Sequence, residues 1–121
     1  MPLPELNAID AWPIAAVALL NVLDMLSGYL KGYAANDVQS RKLWNGLIHK
    51  SAYWLMIVLF AIVQGMQVHF DIWEGFPTVT ALCVLICVTE IISITENAIA
   101  LNPELAEWDI IKKIIGEKKE S

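Results

Sequence analysis

Three apolar stretches, each long enough to cross a lipid bilayer, constrain the fold of this chain more than any other feature. The first runs from about Ala11 to Leu30 ("AWPIAAVALLNVLDMLSGYL"), the second from about Leu47 to Met66 around an unbroken "AYWLMIVLFAIV", and the third from about Phe76 to Leu101. A helix rises 1.5 Å per residue, so roughly 20 apolar residues cover the ~30 Å hydrocarbon core. In hydrocarbon every backbone N–H and C=O must be bonded within the segment, which makes these runs helices. The composition agrees, because 57% of the 121 residues are hydrophobic and 17% charged, more apolar than an ordinary soluble domain. The reading is an all-α membrane protein with three transmembrane helices, spans of about 11–30, 47–66 and 76–101. These form a single membrane domain over residues 1–121, with no room for a separate catalytic module.

Local signals punctuate the spans. Pro13 falls in a first helical turn, where its missing N–H costs nothing, Pro77 opens the third span, and Asn102 with Pro103 closes it. The start, "MPLPELNAIDAW", holds Glu5 and Asp10 and no basic residue, so it lacks the positive region of a secretory signal, and the first span is expected to be retained.

Topology follows from where Lys and Arg sit, and the formal net charge of -5 has little say in it. The stretch between the first two spans carries Lys31, Arg41, Lys42 and Lys50 against Asp37, whereas "QVHFDIWEG" carries Asp71 and Glu74 and no basic residue. The remaining lysines, Lys112, Lys113, Lys118 and Lys119, are in the tail. The positive-inside rule thus puts the N-terminus outside, the basic loop of Arg41, Lys42 and Lys50 in the cytoplasm, and the C-terminus inside. Trp12, Phe70 and Trp73 would mark the outer interface, and Tyr29, Tyr33, Trp44, Tyr53 and Trp54 the inner one. In the tail, residues 103–119 place Leu105, Trp108, Ile111 and Ile115 on one face of a C-terminal amphipathic helix that would lie along the inner membrane surface. A helix that docks on a partner protein has the same pattern.

Charge inside the spans is the second constraint. At about 100° per residue, Glu90, Ser93 and Asn97 fall within roughly 60° of one another on the third helix, and Thr89 and Glu96 widen the arc to about 120°. On the first helix Asn21, Asp24, Gly28 and Lys31 share a stripe, edged by Ser27 and Gly32. A charged side chain at a helix centre costs roughly 2.5–3.5 kcal/mol, so such groups face protein or water, pair with a base, or take up a proton. The expectation is that Glu96 pairs with Lys31, Arg41 or Lys42, and that Asp24 and Glu90 face neighbouring helices. Two uses stay open for this polar face: hydrogen-bonded glue inside one subunit, or a surface that lines a pore or joins subunits. Three spans give a thin bundle in which to hide so much polarity, which favours self-association.

Other chemistry is weakly represented. His49 and His69 fall on opposite sides, no metal-ligand spacing or phosphate cradle appears, and no nucleophile stands beside a base, so neither a catalytic site, a metal nor a cofactor is called for. Cys83 and Cys87, one turn apart in an apolar run, read as small buried hydrophobes. The basic loop suits anionic membrane lipid, not nucleic acid.

Two stretches together resemble the phage lysis and toxin-secretion holin family: "LDMLSGYLKGYAANDVQSRKLWNGLIHKSAYWLMI" and "EIISITENAIALNPELAEW", which cover most of residues 20–108. The matching positions are Asp24, Gly28, Lys31, Ser40, Arg41, Lys42, Gly46 and Lys50, then Glu90, Ser93, Glu96, Asn97 and Pro103. The chain departs from the pattern after Asn97, where relatives often place a Gly before the Pro and this one reads "AIALNP". The resemblance implies a multi-pass protein of the bacterial cytoplasmic membrane that homo-oligomerises into non-selective lesions and so releases an endolysin or a toxin. A small proton or cation channel or transporter subunit using the intramembrane carboxylates, and an antiholin-like regulator, are the alternatives.

Overall fold

The computed structural model describes residues 10–73 and 76–120, and its secondary structure is helical throughout. Three long helices, α1 (Ala11–Ala34), α2 (Ser40–Phe70) and α3 (Thr78–Leu101), are each long and apolar enough to cross a membrane. A short 3₁₀ turn (Pro103–Glu107) then leads to α4 (Asp109–Glu120). The N-terminal residues before Asp10, and Glu74 of the second connection, lie outside the described residues.

Asp10 starts α1 by accepting the Trp12 N–H (3.0 Å), with Pro13 in the first turn as expected. At the other end the chain reverses within Ala35–Gln39. Asn36 takes the left-handed conformation (φ 57°), and the Asp37 N–H reaches back to the Gly32 carbonyl at 2.7 Å. A Cβ on Gly32 would stand 3.1 Å from the Asp37 carbonyl oxygen, so this close return needs the glycine.

Helix α2 begins seven residues before the expected start, and the loop expected to carry Arg41, Lys42 and Lys50 is helix instead. "SRKLWNGLIHK" contains no proline, and the helix runs on through its polar part. At 31 residues α2 is about 46 Å long against a ~30 Å hydrocarbon core, so it projects beyond the bilayer interior. It stops at Asp71, which is left-handed (φ 55°), with the Ile72 N–H closing on the Gln67 carbonyl.

The start of α3 is capped from α2. Gln64 Oε1 accepts the Val79 N–H (2.9 Å), Gln67 Oε1 accepts the Thr78 hydroxyl, and Gln67 Nε2 donates to the Trp73 carbonyl (3.1 Å). Both glutamines are buried, and they tie Trp73 and the start of α3 to the bundle. At the other end, the tail is not one continuous helix. Asn102 does cap it, through its side chain and the Glu104 N–H, but the 3₁₀ turn ends at an extended Trp108, which breaks the expected single face. Trp108 is exposed, while Leu105, Ile111 and Ile115 are half-buried.

Packing centres on α3, which lies closest against α1 and less extensively against α2, while α1 and α2 touch least. Val17, Ile57, Val79, Cys83 and Ile86 form the apolar core, so Cys83 acts as the small hydrophobe expected of it. Leu19, Val22, Leu55, Val58, Ile62 and Leu85 point outward, the arrangement of a bundle whose solvent is lipid.

Gln64→Leu leaves the Val79 N–H without its side-chain acceptor. The expected loss is about 1–3 kcal/mol in detergent unfolding monitored by circular dichroism; unchanged stability would show that the inter-helix cap is dispensable.

Candidate functional site

At the level of Asp24, about 10 Å along α1 from Lys31, the three helices meet through charge rather than hydrocarbon. Lys50 Nζ from α2 lies 2.7 Å from Asp24 Oδ2 and 2.8 Å from Glu90 Oε2. Asn21 Nδ2 donates to the same Glu90 oxygen at 2.9 Å, and Asn21 Oδ1 accepts the Trp54 indole N–H at 3.0 Å. Asp24 Oδ1 receives Ser93 Oγ (2.7 Å) and Asn97 Nδ2 (3.2 Å), and Asn97 also donates to Ser27 Oγ (3.0 Å).

Helical spacing puts these groups on facing stripes. Asn21, Asp24 and Ser27 recur every three residues on α1, Glu90, Ser93 and Asn97 sit at i, i+3 and i+7 on α3, and Lys50 and Trp54 stand one turn apart on α2. Gly28 completes the approach, since a Cβ there would lie 3.7 Å from Asn97 Nδ2. Glu90 is 2% exposed, and Asn21, Lys50 and Asn97 are also buried. Two carboxylates and one ammonium leave one net negative charge, shared over several donors. Among the described residues no buried side-chain nitrogen or oxygen lacks a hydrogen-bond partner. In a low-dielectric interior that completeness decides the sign, because a satisfied network rigidifies a bundle and an orphaned charge disrupts it.

Of the polar face read from sequence, Asn21, Asp24, Gly28, Glu90, Ser93 and Asn97 come together here. Lys31 and Glu96 do not join them and are exposed. Lys31 lines a cavity between α1 and α2, whereas Glu96 lines a groove beneath α4 with Ile99, Ile111 and Ile115. Lys42, one of the bases expected opposite Glu96, instead faces Asp37 at 3.8 Å. Thr89 leaves the arc too, since its hydroxyl is satisfied by the Leu85 carbonyl in its own helix.

The residue that sequence reasoning misplaced is Lys50. Counting it among loop cations served the charge asymmetry, yet it opens the most apolar part of α2 and is the only base within reach of Asp24 and Glu90 among the described residues. Its position one turn before Trp54 was the available signal. Trp54, expected at the inner interface, donates to Asn21 inside the bundle. Nothing in the arrangement pairs a nucleophile with a base, and among the described residues no group of three His, Cys, Asp or Glu side chains could hold a metal ion.

A family model described as the bacteriophage holin family matches residues 6–118, nearly the whole chain. The chain belongs to the bacteriophage holin family. This holin-family chain, with three apolar helices, is a multi-pass protein of the cytoplasmic membrane, and its family is one of non-enzymatic membrane proteins. Neither a curated protein nor a solved structure gives a match.

Lys50→Met leaves the buried Glu90 carboxylate and the half-buried Asp24 carboxylate without the cation between them. The variant is expected to lose about 3–5 kcal/mol in detergent unfolding followed by tryptophan fluorescence. Adding Asp24→Asn and Glu90→Gln removes the stranded charge and should restore most of that loss. A Lys50→Met protein as stable as the parent rules out the ion cluster as the organising contact.

Proposed function

We propose that this chain is a lesion-forming holin. It accumulates in the bacterial cytoplasmic membrane as an inserted three-helix bundle, then homo-oligomerises into non-selective openings that release an endolysin, or in another setting a toxin. The observation that carries this reading is the family match over residues 6–118. The geometry supplies a physical route. With the ions of α1, α2 and α3 closed on one another, the inserted chain presents an apolar exterior and can reside in lipid without harm.

A lesion needs the opposite arrangement, a polar face turned to water or to a partner subunit. Asn21, Asp24, Gly28, Lys31, Glu90, Ser93, Glu96 and Asn97 are the residues proposed to supply it, with Lys31 and Glu96 already exposed. The proposed topology is N-terminus outside and C-terminus inside, following the basic residues. Arg41 and Lys42 then stand at the cytoplasmic surface, and α4 lies along it as an amphipathic interfacial helix. In this account no catalytic residue acts, because opening depends on helices exchanging partners within the chain for water or for other copies.

Induction of the chain in a bacterium, with membrane potential and escape of a folded cytoplasmic enzyme followed together, tests this directly. Abrupt release of the enzyme is expected, with its onset moved by Glu90→Gln and Glu96→Gln together. Potential lost while the enzyme stays inside would assign the chain to a small ion channel, and neither loss would assign it to a regulator of another holin.

A further inference from the structure

The gap between α1 and α2, the helix pair that touches least, holds two adjoining cavities. One, of about 320 Å³, opens at the end of the bundle near the 35–39 reversal, and Lys31, Asp37, Lys42, Ser93 and Asn97 are among its walls. The other, of about 490 Å³, continues toward the bilayer interior and is walled by Ala18, Val22, Leu26 and Leu47. Met25 and Lys50 border both. A polar chamber at the loop end of the bundle therefore adjoins an apolar groove along α1.

We propose that this composite cavity binds one phospholipid with an anionic headgroup, the phosphate held between Lys31 and Lys42 and an acyl chain laid along Ala18, Val22 and Leu26. Charge favours it. Lys31 has no ion-pair partner among the described residues, and Lys42 meets Asp37 only at 3.8 Å between two exposed side chains. The neighbouring Arg41 adds a third cation at the same end of α2. Lys50 is not a headgroup ligand, because its ammonium is already held by Asp24 and Glu90.

Length decides between occupants. From Lys31 to Ala18 is about 20 Å along α1, roughly one leaflet including its headgroup layer. A membrane-spanning helix of a second copy would need a groove of ~30 Å, and a free phosphate would leave the apolar half unfilled. A single lipid matches both chemistries and the length. Such a lipid would fill the seam where α1 and α2 make few contacts of their own.

Native mass spectrometry of the full chain in detergent tests the site, with phosphatidylglycerol and phosphatidylcholine of identical acyl chains as probes. One phosphatidylglycerol per chain is expected, held roughly thirtyfold more tightly than phosphatidylcholine, as two surface lysines near an anionic headgroup imply. A K31Q/K42Q double variant, altered only at exposed positions, should bring it down to the phosphatidylcholine level with helix content unchanged. Filling the groove with A18W should weaken both lipids. Equal retention of the two lipids, binding that survives K31Q/K42Q, or displacement by inorganic phosphate would overturn the proposal. So would a dimer in place of bound lipid that A18W abolishes. If A18W fails to fold, the lysine variant decides alone. The readout involves no lesion, so its failure is separate from failure of the release assay.

Discussion

One ammonium group, that of Lys50, holds the bundle's interior together by bridging Asp24 of α1 and Glu90 of α3. Without it, two carboxylates would share a low-dielectric interior with no cation between them. With it, the charge left over is spread across Asn21, Ser93 and Asn97, and each of those is placed by the same bridge. The remaining packing is compatible with this constraint and does not impose it. The apolar core is small, α1 and α2 scarcely meet, and hydrocarbon contacts between helices gain little when lipid offers the same.

This explains why charge stands where it is most expensive. A lone carboxylate at the centre of a span costs roughly 2.5–3.5 kcal/mol, and three ionic groups inserted singly would oppose insertion strongly. Closed on one another they become an address, fixing which faces of three otherwise interchangeable helices meet. The same groups give the folded chain a second option, since a cluster satisfied by protein can also be satisfied by water. Asp24 and Lys50 also line the chamber that Lys31 and Lys42 border, which gives the cluster a side from which water can reach it.

Much of the fold was legible because hydrocarbon admits few backbone solutions. Three runs of about 20 apolar residues imply three helices, and the helix ends at Pro13, Pro77 and Asn102 follow from local chemistry. The polar stripes were legible for the same reason, since helical periodicity alone aligns Asn21 with Asp24 and Glu90 with Asn97. What could not be read was pairing between helices. Lys50 looked like a loop residue because charge asymmetry records which side a lysine is on and not how deep it sits. Gln64 and Gln67 gave no signal, since an inter-helix cap has no periodicity. The break at Trp108 arose from backbone conformation in a segment whose side-chain pattern suited a continuous helix.

The account stands on the polar face closing inside a single chain before any assembly, and a crosslinking measurement addresses that most directly. Gly28→Cys and Asn97→Cys, introduced with Cys83→Ala and Cys87→Ala and expressed in membranes, place two thiols across the α1–α3 contact where Gly28 meets Asn97. Oxidation followed by intact-mass and non-reducing gel analysis should give a chain of monomer size with its two thiols joined. A ladder of crosslinked dimers and larger species, with no internal crosslink, would contradict the account, because the two polar stripes would then face other subunits from the outset.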